Sequence, residues 1–247
     1  MTDRYPGEPV IWPLIRGADI VRVVLATLGL TIGLAVVAAV GYAVLVMLGF
    51  DGPTALTAPV AFFAEGLAIL GGIYTVMVRG RGLNWRDLGW DPVSWSWALL
   101  AVAACVGVYA AFITVQLVMG QIRGDATVQV LPALLPAFPV SALSFVFSLL
   151  GGAVLVPIAE EFLFRGILYR WLRDRWGVWL GTVVSAAVFT AMHPPGAGSP
   201  VQIFVMALAL AVFYERSRSA IPGMVLHATN NAIGIALIYA TIWFGGP

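Results

Sequence analysis

The 247-residue chain is 61% hydrophobic and only 10% charged, with a formal net charge of +1. Soluble domains run at roughly 45–50% apolar and about 25% charged, so this composition excludes an ordinary soluble domain and implies an integral membrane protein. With no basic tail or patch, nothing points to a nucleic-acid partner.

Apolar runs of about twenty residues mark membrane-spanning helices. Seven are expected, at residues 20–50, 55–78, 95–119, 140–169, 178–193, 201–214 and 221–244. The first is too long for the apolar stretch of a cleaved signal peptide, and Asp3, Glu8 and Asp19 dilute the positive charge before it. The fold class expected is therefore all-α, a polytopic membrane helical bundle in one domain over residues 1–247. All thirteen cationic side chains are arginine, a bias consistent with GC-rich bacterial coding. Eleven of them (Arg4, Arg16, Arg22, Arg79, Arg81, Arg86, Arg170, Arg173, Arg175, Arg216 and Arg218) fall on alternate connections of one side. The positive-inside rule then places the N-terminus, residues 1–19, in the cytoplasm of a plasma-membrane protein. Trp85, Trp90, Trp95, Trp171, Trp176 and Trp243 cluster near span ends, as interfacial aromatics do.

Between spans two and three, residues 79–92 form a polar cytoplasmic connector. Residues 120–139 form the longest outer loop, where Pro132, Pro136 and Pro139 oppose a regular helix. The sixth span is only fourteen residues and follows Pro194, Pro195 and Pro200, so irregular backbone beside a wet cavity is expected near His193. Cys105, alone in an apolar run, reads as a small buried hydrophobe.

Polar residues inside these spans are the chemical signal. A carboxylate at bilayer depth costs roughly 2.5–3.5 kcal/mol on insertion scales, yet span four carries Glu160 and Glu161 side by side, with Arg165 after them. Residues four apart share a helix face, so Glu161 is placed to answer Arg165, while Glu160 points about 100° away. The only two histidines, His193 and His227, lie in separate apolar spans. His227 and Asn231 are again four apart and address one point. Pro157 lacks an N–H and frees the carbonyl of Ala153. Gly151, Gly152, Ser144 and Ser148 permit close helix approach. Glu65 either lines a cavity or bonds a neighbouring helix. Gln116 and Asn230 read as structural hydrogen-bonders, and Thr229 as bonded to its own helix backbone.

Glu160-Glu161-x-x-x-Arg165, Phe189-x-x-x-His193 and His227-x-x-x-Asn231, in that order on separate spans, resemble the CPBP superfamily of type II CAAX prenyl endopeptidases and bacteriocin-processing (Abi) proteins. The connector text around Arg81–Gly89 resembles that of its bacterial members. The resemblance implies an intramembrane endopeptidase with its catalytic core in residues 140–244. It implies that Glu160 and His193 activate water, that His227 and Asn231 stabilise the oxyanion, and that Glu161 and Arg165 support them. The expected partner is a membrane-associated protein or peptide substrate, and no cofactor is required. The alternative is a zinc site on Glu160, His193 and His227, a carboxylate-plus-two-histidine ligand set. Two other functions fit these residues: a non-enzymatic bacteriocin-immunity or membrane-binding protein, and a proton-coupled transporter, which the lack of an internal repeat disfavours.

Overall fold

In hydrocarbon every backbone N–H and C=O must be satisfied within the segment, which restricts a chain of such apolar runs to helices. The computed structural model describes residues 15–49, 57–123, 141–194 and 198–244, and among them there is no strand. The helices are α1 (Gly17–Met47), α2 (Thr57–Ile73), α3 (Ser96–Arg123), α4 (Ala142–Ser148), α5 (Val156–Glu161), α6 (Arg170–Met192), α7 (Pro200–Ser217) and α8 (Ile221–Phe244). π-Helical turns extend α2 over Tyr74–Arg79 and join α4, α5 and α6 through Leu149–Leu155 and Phe162–Tyr169. The protein is a polytopic helical membrane bundle.

Among the described residues six helical runs are long and apolar enough to cross a membrane, against the seven spans expected of the chain. The difference lies in one run, Ala142–Met192, which is 51 residues long. As a straight rod it would extend about 77 Å, far beyond about 30 Å of hydrocarbon. It is not straight: Gly177 has φ 75° and ψ 176°, a conformation open to glycine and strained for any other residue. Beyond it the chain doubles back, and a Cβ on Gly181 would lie 3.0 Å from the Cα of Arg173. Spans four and five of the sequence therefore fall on the two arms of this hairpin.

Helices α7 and α3 run beyond their expected ends. Helix α7 has 18 residues rather than fourteen, or about 27 Å. Pro200 occupies its first turn, where a missing N–H costs nothing, and the polar residues that made its end look like a loop are paired: Glu215 accepts from Arg173 Nε at 2.7 Å. Helix α3 runs through Gly120 to Arg123, so the expected outer loop begins later. The rest of that loop, with Pro132, Pro136 and Pro139, lies outside the described residues, as do the N-terminal arginine Arg4 and Pro195.

The arginine-rich connections gather at one end of the bundle. Asp19 pairs with Arg81, and Arg170 Nη1 donates to the Asp87 carbonyl at 2.5 Å. Ala220 N–H donates to the Gly89 carbonyl at 2.8 Å. Phe162, just past the glutamates, lies between Trp85 and Trp90, with ring centroids 4.9 and 5.8 Å away. This docked connector holds the lower end of the glutamate helix against α1, α2 and α8, around a core that includes Ile73, Met77, Leu88, Ile167 and Tyr214.

Candidate active site

The glutamate helix is irregular where it matters. Across Leu149–Leu155 each turn is widened, and the N–H of Val156 reaches back to the carbonyl of Gly151, five residues away. In this register the next donor would come from Pro157, which has none. The carbonyl left without a helix donor is thus that of Gly152, not Ala153 as α-helical spacing implies. Asn231 Nδ2 on α8 donates to it at 2.9 Å. The proline vacancy is filled by a side chain from another helix, which locks Asn231 in place. π-Turns recur at functional sites for this reason: they offer backbone groups to partners other than the helix itself.

Glu161 is fully buried and pairs with Arg165 Nη1 at 2.7 Å. Arg165, also buried, donates from Nη2 to the Ala207 carbonyl at 3.2 Å and lies over the Phe189 ring, 4.7 Å from its centroid. Arg165 thus ties the glutamate helix to both α6 and α7. Glu160 projects differently and lines a cavity of about 260 Å³, whereas Glu161 does not.

Two other helices bring the remaining expected residues to that cavity. His193 lies at the end of α6, and His227 and Asn231 one turn apart on α8; all three line the same space as Glu160. His227 is 3% exposed and sits between the glutamates, with Nε2 3.6 Å from Glu160 Oε2 and Nδ1 3.4 Å from Glu161 Oε1. His193 Nδ1 lies 2.8 Å from the Phe189 carbonyl. A carbonyl only accepts, so Nδ1 carries the proton in that bond and a neutral ring keeps Nε2 as its acceptor. Both imidazoles pack on Phe189, with centroids 4.6 and 5.6 Å away. Among the described residues Glu160 makes no direct hydrogen bond or ion pair with His193; the two share the cavity instead.

Helix α8 reaches the glutamates because Gly223 is one turn before His227. A Cβ there would stand 2.7 Å from Glu161 Oε2, and the Arg165 bond prevents that carboxylate from swinging aside. Gly223→Ala is therefore expected to cost about 1–3 kcal/mol of stability through overpacking and to push His227 out of register. Thermal unfolding in detergent checks the first effect; at Gly234, where no atom but the Tyr109 hydroxyl comes within 4 Å, the same change should be neutral.

Other polar residues sort as follows. Glu65 on α2 lines the cavity. Asn230 Nδ2 donates to Asn231 Oδ1 at 3.0 Å, and Thr229 to the Val225 carbonyl at 2.7 Å. Cys105 is buried at 1% exposure. The Gln116 side chain lies outside what the structure describes. Sequence reading missed Tyr109 and Gln202, which also line the cavity; Tyr109 donates to the Asn230 carbonyl at 3.2 Å. Both are lone polar residues in apolar helices, a weak signal in sequence alone.

Among the described residues no group of three His, Cys, Asp or Glu side chains is placed to hold one metal ion, and Glu160, His193 and His227, the residues of the zinc alternative, line a common space.

Residues 141–233 match the family model described as type II CAAX prenyl endopeptidase Rce1-like. The matched stretch is similar to an Rce1-like domain and covers less than half of the chain. It begins at the cap of α4, where the Ser141 hydroxyl accepts from Ser144 N–H, and it contains Glu160, Glu161, Arg165, His193, His227 and Asn231; Glu65 and Tyr109 lie outside it. Among curated proteins, an Escherichia coli protein described as an uncharacterized 24.3 kDa protein is 30% identical over 94 residues, which cover 36% of this chain and 43% of that relative. The matched stretch is thus less than half of the relative's length. No solved structure matches the chain.

Proposed function

We propose that the protein is an intramembrane endopeptidase of the bacterial plasma membrane, with its N-terminus in the cytoplasm, that hydrolyses a peptide bond in a membrane-associated protein or peptide. One observation carries this: Glu160, His193, His227 and Asn231, contributed by three helices, line one cavity of about 260 Å³. The Rce1-like match over 141–233 supports it.

In this proposal a water in the cavity donates its protons to Glu160 and to His193 Nε2. As its oxygen attacks the scissile carbonyl, Glu160 takes a proton, the new C–O bond forms and the carbonyl oxygen becomes an oxyanion. His227 and the second N–H of Asn231 donate to that oxygen. The first N–H is already committed to Gly152, so the amide is held rather than free to rotate, and preorganised donors in a low-dielectric site are the most effective kind. The C–N bond then breaks, and Glu160 returns its proton to the leaving amine. Glu161 and Arg165 neither give nor take protons; they hold the helix that carries Glu160.

Mapping new peptide termini in membranes from cells that express the chain tests the proposal. Cuts dependent on the protein are expected and should persist undiminished in strong chelator, because no step runs through a metal. Loss of every cut on chelation, with restoration by zinc, would overturn the glutamate mechanism. Absence of any protein-dependent cut would overturn the protease reading.

A further inference from the structure

A second, larger space abuts the cavity. It is an apolar groove of about 990 Å³ between α1, α2 and the glutamate helix. Among the described residues, three line both spaces: Glu65, Glu160 and Met192. They form the doorway between groove and cavity. Glu65 is held there because α2 presses on the glutamate helix at the next residue, where a Cβ on Gly66 would lie 2.6 Å from Leu155 Cγ.

The doorway is electrostatically unbalanced. Glu161 is answered by Arg165, but among the described residues no arginine lines either space. Among the described residues Glu65 makes no hydrogen bond or ion pair, and Glu160 has only His227 within ion-pair distance, at 3.6 Å. A carboxylate facing hydrocarbon without an answering group is unfavourable and marks a functional site. His227, 3% exposed and lining the cavity, turns Nε2 toward Glu160 and Nδ1 toward Glu161, at 3.6 and 3.4 Å, and so leaves Glu65 unanswered.

We propose that Glu65 is a specificity-determining residue that receives a cationic group of the substrate, an ammonium or guanidinium, while the flanking apolar chain lies in the groove. The inference rests on the endopeptidase reading and narrows its substrate class to membrane-embedded peptides with a lysine, arginine or free amine beside the scissile bond. A charge-assisted hydrogen bond in an apolar setting is strong and directional, so Glu65 registers the chain and Glu160 remains free to act on water.

The test separates binding from cutting. Purified full-length protein in nanodiscs, in a His193→Ala background, is titrated with a fluorescent alanine–leucine peptide carrying one lysine and with its norleucine and glutamate counterparts. The lysine peptide is expected to bind about tenfold tighter or more than the norleucine peptide. Glu65→Gln should abolish that preference, Glu65→Asp should retain it, and Glu65→Lys should reverse it toward the glutamate peptide. The aspartate variant distinguishes lost charge from lost fold. Equal binding of the lysine and norleucine peptides, or a preference that survives Glu65→Gln, would overturn the inference. Cleavage is scored separately in the parent protein, which retains His193: a Glu65-dependent preference without protein-dependent cuts upholds the cation site and sinks the protease, and cuts without the preference do the reverse.

Discussion

Glu160→Gln is expected to abolish cleavage, by about a thousandfold or more, in a protein that still folds. The substitution keeps the shape of the side chain and removes its ability to take a proton. General-base catalysis alone contributes about 10²–10⁴ in rate, and here the same group also returns the proton to the leaving amine, so both halves of the reaction fail. Stability should be little changed, because Glu160 makes no short hydrogen bond; its contact with His227 Nε2 is long, at 3.6 Å. Two measurements decide it together: terminus mapping of membrane peptides, and thermal unfolding of the purified variant. Unchanged cleavage would remove Glu160 from the mechanism. If cells instead gain protection against a bacteriocin that persists in both Glu160→Gln and His193→Ala, without cleavage, the protein works by binding.

The second large effect is on folding rather than chemistry. Arg165→Ala leaves Glu161 fully buried without its cation, and also strips the Ala207 carbonyl of a donor and the Phe189 ring of its guanidinium. Breaking a buried ion pair from one side costs about 3–5 kcal/mol, a large share of a typical folding free energy. The variant is expected to unfold at much lower temperature or to be lost from the membrane. Arg165→Lys should rescue it only in part, since one ammonium cannot span the two acceptors that Nη1 and Nη2 reach. The double change Glu161→Gln with Arg165→Met should be markedly more stable than Arg165→Ala, because no lone buried charge remains. A single Arg165→Ala variant as stable as the parent would show that Glu161 is answered by something else, with His227 Nδ1, at 3.4 Å, the neighbour on hand.

These predictions separate what local pattern reveals from what it does not. The Glu161 and Arg165 pairing is an i, i+4 contact, and spacing alone brings such residues together. The Gly152 carbonyl was not legible in that way. Its vacancy depends on a π-helical register, and its partner, Asn231, comes from 79 residues further along the chain. The hairpin at Gly177 is of the same kind. A glycine between Trp176 and Val178 signals little, and only the backbone angle shows that two spans meet there. Glu65 was visible as an anomaly in span two, but its position at the doorway depends on how α2 seats against Leu155.

By itself, the sequence determined that the chain is a helical membrane protein, because hydrocarbon admits no other fold for such long apolar runs. It also determined which residues are too polar for their depth to be packing alone. Tertiary structure decided that Glu160, His193, His227 and Asn231 share one cavity and that an apolar groove opens beside it. The physical reason is distance along the chain. Periodicity governs neighbours within a turn or two of one helix, whereas convergence of side chains from three helices depends on where small residues, widened turns and a buried ion pair let those helices meet.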